Sequence, residues 1–178
     1  MDGLDPLELD ISKRGIEVDE QLRAAPDVWA IGDVTGIAPF THVGKYHARI
    51  AAYAMTGRDA RADHRAVPAT IFTDPQVAMV GDTEGGLSST WDLQSTPRLS
   101  TYQRPKQKGF VKVVADPKRR VLTGAVAVGP ESGEWLQQLT LAIRAETPID
   151  VLLDVIQPYP TFSEAVFLAL RELNLDLA

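Results

Sequence analysis
Two hydrophobic periods alternate along this chain. In Phe110-Val111-Lys112-Val113-Val114 and again from Val121 to Val128, apolar residues recur with the spacing of strands. Asp116-Pro117-Lys118-Arg119-Arg120 lies between them and supplies a turn, so a hairpin is predicted. Val67 to Phe72 and Gln76 to Gly81 read as two further strands joined at Thr73-Asp74-Pro75. The period then lengthens. Trp135, Leu136, Leu139, Ala142 and Ile143 fall on one helical stripe. Ile149, Leu152, Leu153 and Ile156 fall on a second, with Thr147 as N-cap and Pro148 as first helical residue. A third helix runs from Phe162 to Leu173 and is apolar on most of its circumference. Such a helix must be buried from several sides, in a domain this small against another chain.

The N-terminal third has a different texture. Asp2-Gly3, Asp5-Pro6 and Arg14-Gly15 are turn signals, and Ile16-Glu17-Val18 alternates like a short strand. Val28-Trp29-Ala30-Ile31-Gly32-Asp33 reads as a buried strand that stops at Gly-Asp. An alanine-rich helix follows from Val43 to Met55, closed by Thr56-Gly57, with Thr41 as its N-cap. Residues 57–66 are polar without periodicity and read as a linker. Gly85-Gly86, the hydroxyl run Ser88 to Thr90 and Pro97 predict irregular structure over 82–98. Spacing alone therefore gives an α/β segment ending in Gly-Asp, followed by a hairpin-based domain with three C-terminal helices.

Composition narrows the function classes. The net charge is -6 and the pI about 5.0, so no basic field is available to neutralise phosphates, and nucleic-acid binding is disfavoured. With no cysteine, these 178 residues can form no disulfide, thiolate metal site or redox dithiol. Met1 is followed by an acidic, leucine-bearing segment instead of a signal-peptide pattern, and no apolar run approaches the roughly 20 residues of a membrane span. A cytoplasmic protein is expected.

Candidate chemistry clusters at two places. Asp33 ends a hydrophobic strand, where a carboxylate can accept hydrogen bonds from ribose or ribityl hydroxyls. The helix beginning near Thr41 would offer its N-terminal amides beside it. His42 and His47 lie about 140° apart around that helix and make no shared metal site. Near the C-terminus, Pro158 and Pro160 bracket Tyr159 and hold it in an extended, rigid segment. Thr161-x-x-Glu164 fits a capping box, which gives Glu164 a structural reading beside a catalytic one. Dinucleotide, Walker, nucleophile-elbow and zincin motifs are absent from the sequence.

The ordered set Val28-Trp29-Ala30-Ile31-Gly32-Asp33-Val34, Phe40-Thr41-His42-Val43, Val67-Pro68 through Asp74-Pro75 to Val80-Gly81, Gly109-Phe110-Val111-Lys112, Gly129-Pro130-Glu131 and Tyr159-Pro160-Thr161-Phe162-Ser163-Glu164 resembles the C-terminal part of the pyridine nucleotide-disulfide oxidoreductase family, which includes dihydrolipoamide dehydrogenase and mercuric reductase. The resemblance implies an α+β fold: an antiparallel β-sheet with helices on one side, preceded by a partial α/β FAD-binding segment. It places a remnant of the FAD domain at 1–60 and a dimerisation domain at 67–178. It implies that Asp33 hydrogen-bonds the flavin ribityl chain and that the amides of Thr41, His42 and Val43 face the flavin pyrimidine. It implies a homodimer in which Tyr159 and Glu164 reach the partner's active site. The family's glycine-rich FAD fingerprint, redox cysteines and NAD(P)H domain have no counterpart here. Many members carry histidine where Tyr159 stands; tyrosine, with a reference pKa of about 10, is a poor thiol-proton relay. The chain is thus expected to contribute dimer contacts and one wall of a flavin site. Alone it should be redox-incompetent, with FAD weakly bound or absent and a separate chain able to supply the missing domains. The alternative is a flavin-free relative reused as a cofactor-independent catalyst, such as a natural product cyclase, or as a dimeric scaffold.

Overall fold
The hairpin read from the alternation is the centre of a sheet. In the computed structural model, which describes residues 7–102 and 108–177, β6 (Phe110–Asp116) pairs antiparallel with β7 (Val121–Gly129) in the register Lys112↔Val126 and Val113↔Ala125. The Asp116 carboxylate accepts the amides of Lys118 and Arg119 at 2.8 and 3.2 Å, and Arg120 closes the turn at φ 53°. β4 (Gln76–Gly81) joins the other side of β7, and β3 (Pro68–Ile71) and β5 (Leu87–Asp92) form the edges. The five-stranded order is β3-β4-β7-β6-β5, antiparallel throughout. Strand alternation turns Ala78, Val80, Val111, Val113, Ala125 and Ala127 to one face. There they meet Leu139, Ala142 and Ile143 of α4 (Gln137–Arg144) and Ala169, Leu170 and Leu173 of α6 (Phe162–Leu177). α4 lies on β7 and β4, while α6 lies on β5 and β6. Each fully buried leucine adds about 1.5–3 kcal/mol of apolar transfer free energy. This is the α+β arrangement that the resemblance implied.

Three local expectations fail for identifiable reasons. Residues 82–98 are regular: β5, a 3-10 turn at Leu93–Ser95 and α2 (Pro97–Thr101). Gly85-Gly86 is confined to the turn before β5, where Gly86 has φ 92° and the Asp82 carboxylate accepts the amides of Glu84 and Gly85 at 3.0 and 3.1 Å. Those two backbone bonds hold the Asp82 carboxyl below its ordinary pKa. Beyond the turn, half-buried Leu87, Ser89 and Trp91 alternate with exposed Ser88, Thr90 and Asp92, a strand pattern carried by small hydroxyls. The stripe from Trp135 to Ile143 is divided into α3 (Ser132–Trp135) and α4. In α5 (Ile149–Asp154), Pro148 itself is the N-cap, and the Thr147 amide donates to the Ala142 carbonyl at 2.9 Å.

The chain forms two units, with the boundary between His64 and Arg65. In the first unit the expected strand Val28–Asp33 reduces to β2 (Val28–Trp29), paired with β1 (Arg23–Ala25). Gly32, at φ 71°, turns the chain into a 3-10 turn, Gly32–Thr35, whose Thr35 hydroxyl donates to the Gly32 carbonyl at 2.8 Å. Ile16 makes a single bridge to Ile11 instead of a strand. α1 (Thr41–Met55) buries Val43, His47, Ile50 and Ala51. Its N-cap is Phe40, without a side-chain bond, so Thr41 is the first helical residue and not the cap. The polar stretch read as a linker is held within this unit up to His64. Arg61 pairs with Glu20 at 2.7 Å, and the Asp63 amide donates to the Tyr46 hydroxyl at 2.9 Å. The signals Asp2-Gly3 and Asp5-Pro6 lie outside the described residues. No helix among the described residues is long and apolar enough to cross a membrane.

Candidate functional sites
In the second unit the chain leaves α5 through Gln157-Pro158-Tyr159-Pro160 and enters α6 at Phe162. Phe162 is the anchor of this entry. It is buried between the rings of Tyr102 and Trp135, at centroid distances of 5.7 and 6.1 Å. The Thr161 hydroxyl donates back to the Pro158 carbonyl at 2.7 Å and closes the turn. Tyr159 then projects outward, 71% exposed. Glu164, in the first turn of α6, lines the same open cleft of about 350 Å³ as Tyr159, together with Leu153, Ile156 and Phe167. Its Oε2 is buried and has no hydrogen-bond partner among the described residues. The capping-box reading therefore does not account for this oxygen. A buried carboxylate oxygen without a donor is unfavourable, so the arrangement is one that an outside donor would complete. Ile156, 94% exposed at the rim, is an apolar residue facing solvent at the same place.

In the first unit the Gly32–Asp33 turn is fixed from behind. The Gly32 amide donates to Nδ1 of His47 at 3.1 Å, and Nε2 of His47 meets Nε2 of His64 at 2.7 Å. His47 is fully buried. Burial, and after it the neighbouring His64, lowers the His47 pKa below its ordinary 6.5. Burial also lowers His64, against the smaller opposing effect of Asp63. Asp33, the next residue in the turn, is exposed. At the start of α1 the amides of Val43 and Gly44 both donate to the Phe40 carbonyl, at 2.9 and 3.1 Å. The Thr41 amide has no backbone acceptor among the described residues and lies at the positive end of the helix dipole. His42 is exposed, with its ring stacked on Phe40 at 5.1 Å.

The six residues singled out by sequence thus fall into two groups. Tyr159 and Glu164 share a cleft in one unit. Asp33, Thr41 and His42 are exposed in the other, whereas Val43 is buried and its amide is engaged by Phe40. Sequence reasoning missed His64. It sits 17 residues from His47 in a stretch without periodicity, so no local spacing marks the pair. Among the described residues no cluster of three or more metal-ligating side chains occurs.

Comparison with known proteins agrees with this architecture. Residues 67–170 match the model of the pyridine nucleotide-disulphide oxidoreductase dimerisation domain. The chain is 36% identical over 173 residues to dihydrolipoyl dehydrogenase 2 of Haloarcula marismortui, covering 92% of this chain and 36% of that protein. It is 37% identical over 172 residues to mercuric reductase of Shigella flexneri, covering 91% of this chain and 30% of the relative. Among solved structures, LpdA of Mycobacterium tuberculosis superposes with a TM-score of 0.85 at 27% identity, over 96% of this chain and 39% of that one. The HOCl-induced flavoprotein disulfide reductase RclA of Escherichia coli superposes with a TM-score of 0.82 at 25% identity, over 95% of this chain and 41% of that one. The chain spans about a third of the length of the curated relatives it matches, from 30% to 39%. On the match over 67–170, the chain belongs to the pyridine nucleotide-disulphide oxidoreductase family and carries its dimerisation domain.

Proposed function
We propose that this chain is the C-terminal part of an FAD-dependent NAD(P)H oxidoreductase, working as a homodimer in which each copy completes the other's active site. The observation that carries the reading is the buried Oε2 of Glu164, without a hydrogen-bond partner among the described residues, beside the exposed Tyr159. The two groups form half of a polar site. Ile156 and Tyr159 stand at its open side, where a second copy would cover apolar surface and bring donors. Glu164 would orient a donor by accepting its hydrogen bond. Tyr159 would donate or accept a hydrogen bond toward a substrate without carrying net charge. The chain has no cysteine, so a thiol pair can come only from outside these 178 residues.

The first unit fits one end of a flavin. Asp33 presents an exposed carboxylate suited to polyol hydroxyls, and α1 presents the Thr41 amide with the positive end of its dipole toward an electron-rich ring oxygen. When bound, FAD supplies the family's hydride-accepting chemistry. Asp33 and the start of α1 would bind and orient it. These contacts are a small part of a dinucleotide site, so the chain alone is expected to hold FAD weakly.

Sedimentation analysis with an absorbance spectrum on the purified chain tests the assembly. A dimer with little flavin is expected, and a monomer at all concentrations would refute it. In the assembled flavoenzyme, Tyr159→Phe and Glu164→Gln are expected to lower turnover at least ten-fold with the flavin spectrum unchanged. Unaltered kinetics in both variants would remove these residues from the site.

A further inference from the structure
The bond between Gly32 and His47 fixes more than the shape of a turn. Because the Gly32 N–H donates to Nδ1 of His47, that nitrogen must be unprotonated. Neutral His47 therefore carries its proton on Nε2 and donates it to Nε2 of His64 at 2.7 Å. His64 then holds its own proton on Nδ1. One backbone amide sets both tautomers, and every nitrogen facing another in this row has a defined role. A further proton has no place in the row without loss. On Nδ1 of His47 it would oppose the Gly32 N–H. On Nε2 of His64 it would oppose the His47 N–H. If the shared Nε2 proton were instead donated from His64, His47 would have to be protonated on Nδ1, and the Gly32 bond would break again. Each protonated arrangement gives up one of the two bonds, and the one that keeps the charge-assisted His47–His64 bond gives up the neutral bond from Gly32.

We infer that His47 and His64 form a proton-operated latch on the Gly32–Asp33 turn, closed when both rings are neutral and opened by one added proton. On the elements that carry the pair, the Gly32–Thr35 turn bears Asp33, α1 bears His42, Lys45, Tyr46, Arg49 and Tyr53, and the segment leading to His64 bears Arg58, Asp59, Arg61 and Asp63. Of these, Asp63 favours charged His64, and burial of both rings outweighs it. The sign follows. The folded pKa values lie below 6.5, so the open state binds more protons, and the latch is fully closed above that value. Closure weakens as the pH falls below 6.5 and is lost as the pH passes through the lowered folded value. In combination with the reading of Asp33 as a flavin ligand, on which this step rests, the latch makes cofactor retention fall in acid, because Asp33 follows Gly32 directly.

The test is amide hydrogen exchange by NMR on the 178-residue chain between pH 7.5 and 5, corrected for intrinsic rates, with FAD titrated in parallel. Gly32 protection is expected to drop by up to about ten-fold per pH unit between 6.5 and the lowered folded value, the slope for one proton, and to level off below it. Ala125, in the sheet, should hold steady. The rings of His47 and His64 should titrate over the same pH window as the Gly32 step. Flat Gly32 protection, or rings that titrate apart from it, would overturn the latch. His47→Asn offers a non-titrating acceptor and should leave Gly32 protected at every pH. An unchanged acid step in that variant would also overturn the latch, and if it does not fold, the wild-type ring midpoints decide. FAD affinity falling through the same window supports the coupling, and affinity flat across the window overturns it. A Gly32 step with no FAD affinity at any pH supports the latch and retires the Asp33 reading alone.

Discussion
Leu93, Leu122, Leu136, Leu139 and Leu173 in the second unit lie at 2% exposure or less, within one continuous apolar cluster. The first unit buries Ile16, Leu22, Ala30, Val43, Ile50 and Ala51, and among them stand a buried histidine and a buried threonine that bond to the same glycine. One unit is held by interdigitated side chains on a sheet face. The other is held in large part by directed bonds from side chains to backbone. Apolar packing is indifferent to protons, whereas a histidine bond is not. The same solvent change should therefore act on the two units unequally.

The largest effect expected from this contrast is at Leu173. Leu173→Ala removes a fully buried side chain from the cluster and should cost about 2–5 kcal/mol, with the sheet unit's denaturant midpoint reporting it. A loss under 0.5 kcal/mol would mean that α6 is not seated as described. His47→Ala comes next. It leaves the Gly32 amide without its acceptor and should cost about 1–3 kcal/mol, visible as lost protection in the first unit while the second is unchanged. Equal loss in both units would abolish the distinction. The smallest effect on folding is expected at Ile156. Ile156→Asp should leave stability within about 0.5 kcal/mol, since the side chain is almost wholly exposed, yet should weaken self-association in sedimentation. An unchanged dimer would move the proposed interface away from the cleft.

The contrast also explains what could be read in advance. β4, β6 and β7 were legible because a sheet covered on one face forces a period of two on the sequence, as in Val111-Lys112-Val113. β5 was not, because its alternation is carried by serine and threonine beside a glycine pair. Here cross-strand pairing with β6, in the register Ser89↔Val113, prevailed over local propensity. Tyr159 and Glu164 were singled out from turn chemistry and resemblance, whereas Asp33, expected at a strand end, stands in a 3-10 turn that begins three residues past β2. The lone Oε2 of Glu164 and the contact between His47 and His64 arise from tertiary packing and have no signature in spacing.

The turn at Arg120 carries a consequence for the order of assembly. Its carbonyl accepts the Ile149 amide at 2.9 Å, and its guanidinium reaches Asp150 and Asn174, each at 2.9 Å. A hairpin between neighbouring stretches of chain thus holds the mooring point for α5 and α6, which lie 30 and 54 residues downstream. Contacts close in sequence close their loops at least entropic cost, so β6 and β7 are expected to form the folding nucleus and the helices to dock afterwards. Arg120→Ala should then accelerate unfolding and leave the refolding rate nearly unchanged, whereas Val113→Ala should slow refolding. Stopped-flow kinetics on the two variants separates these cases, and slowed refolding in Arg120→Ala would place helix docking inside the nucleus.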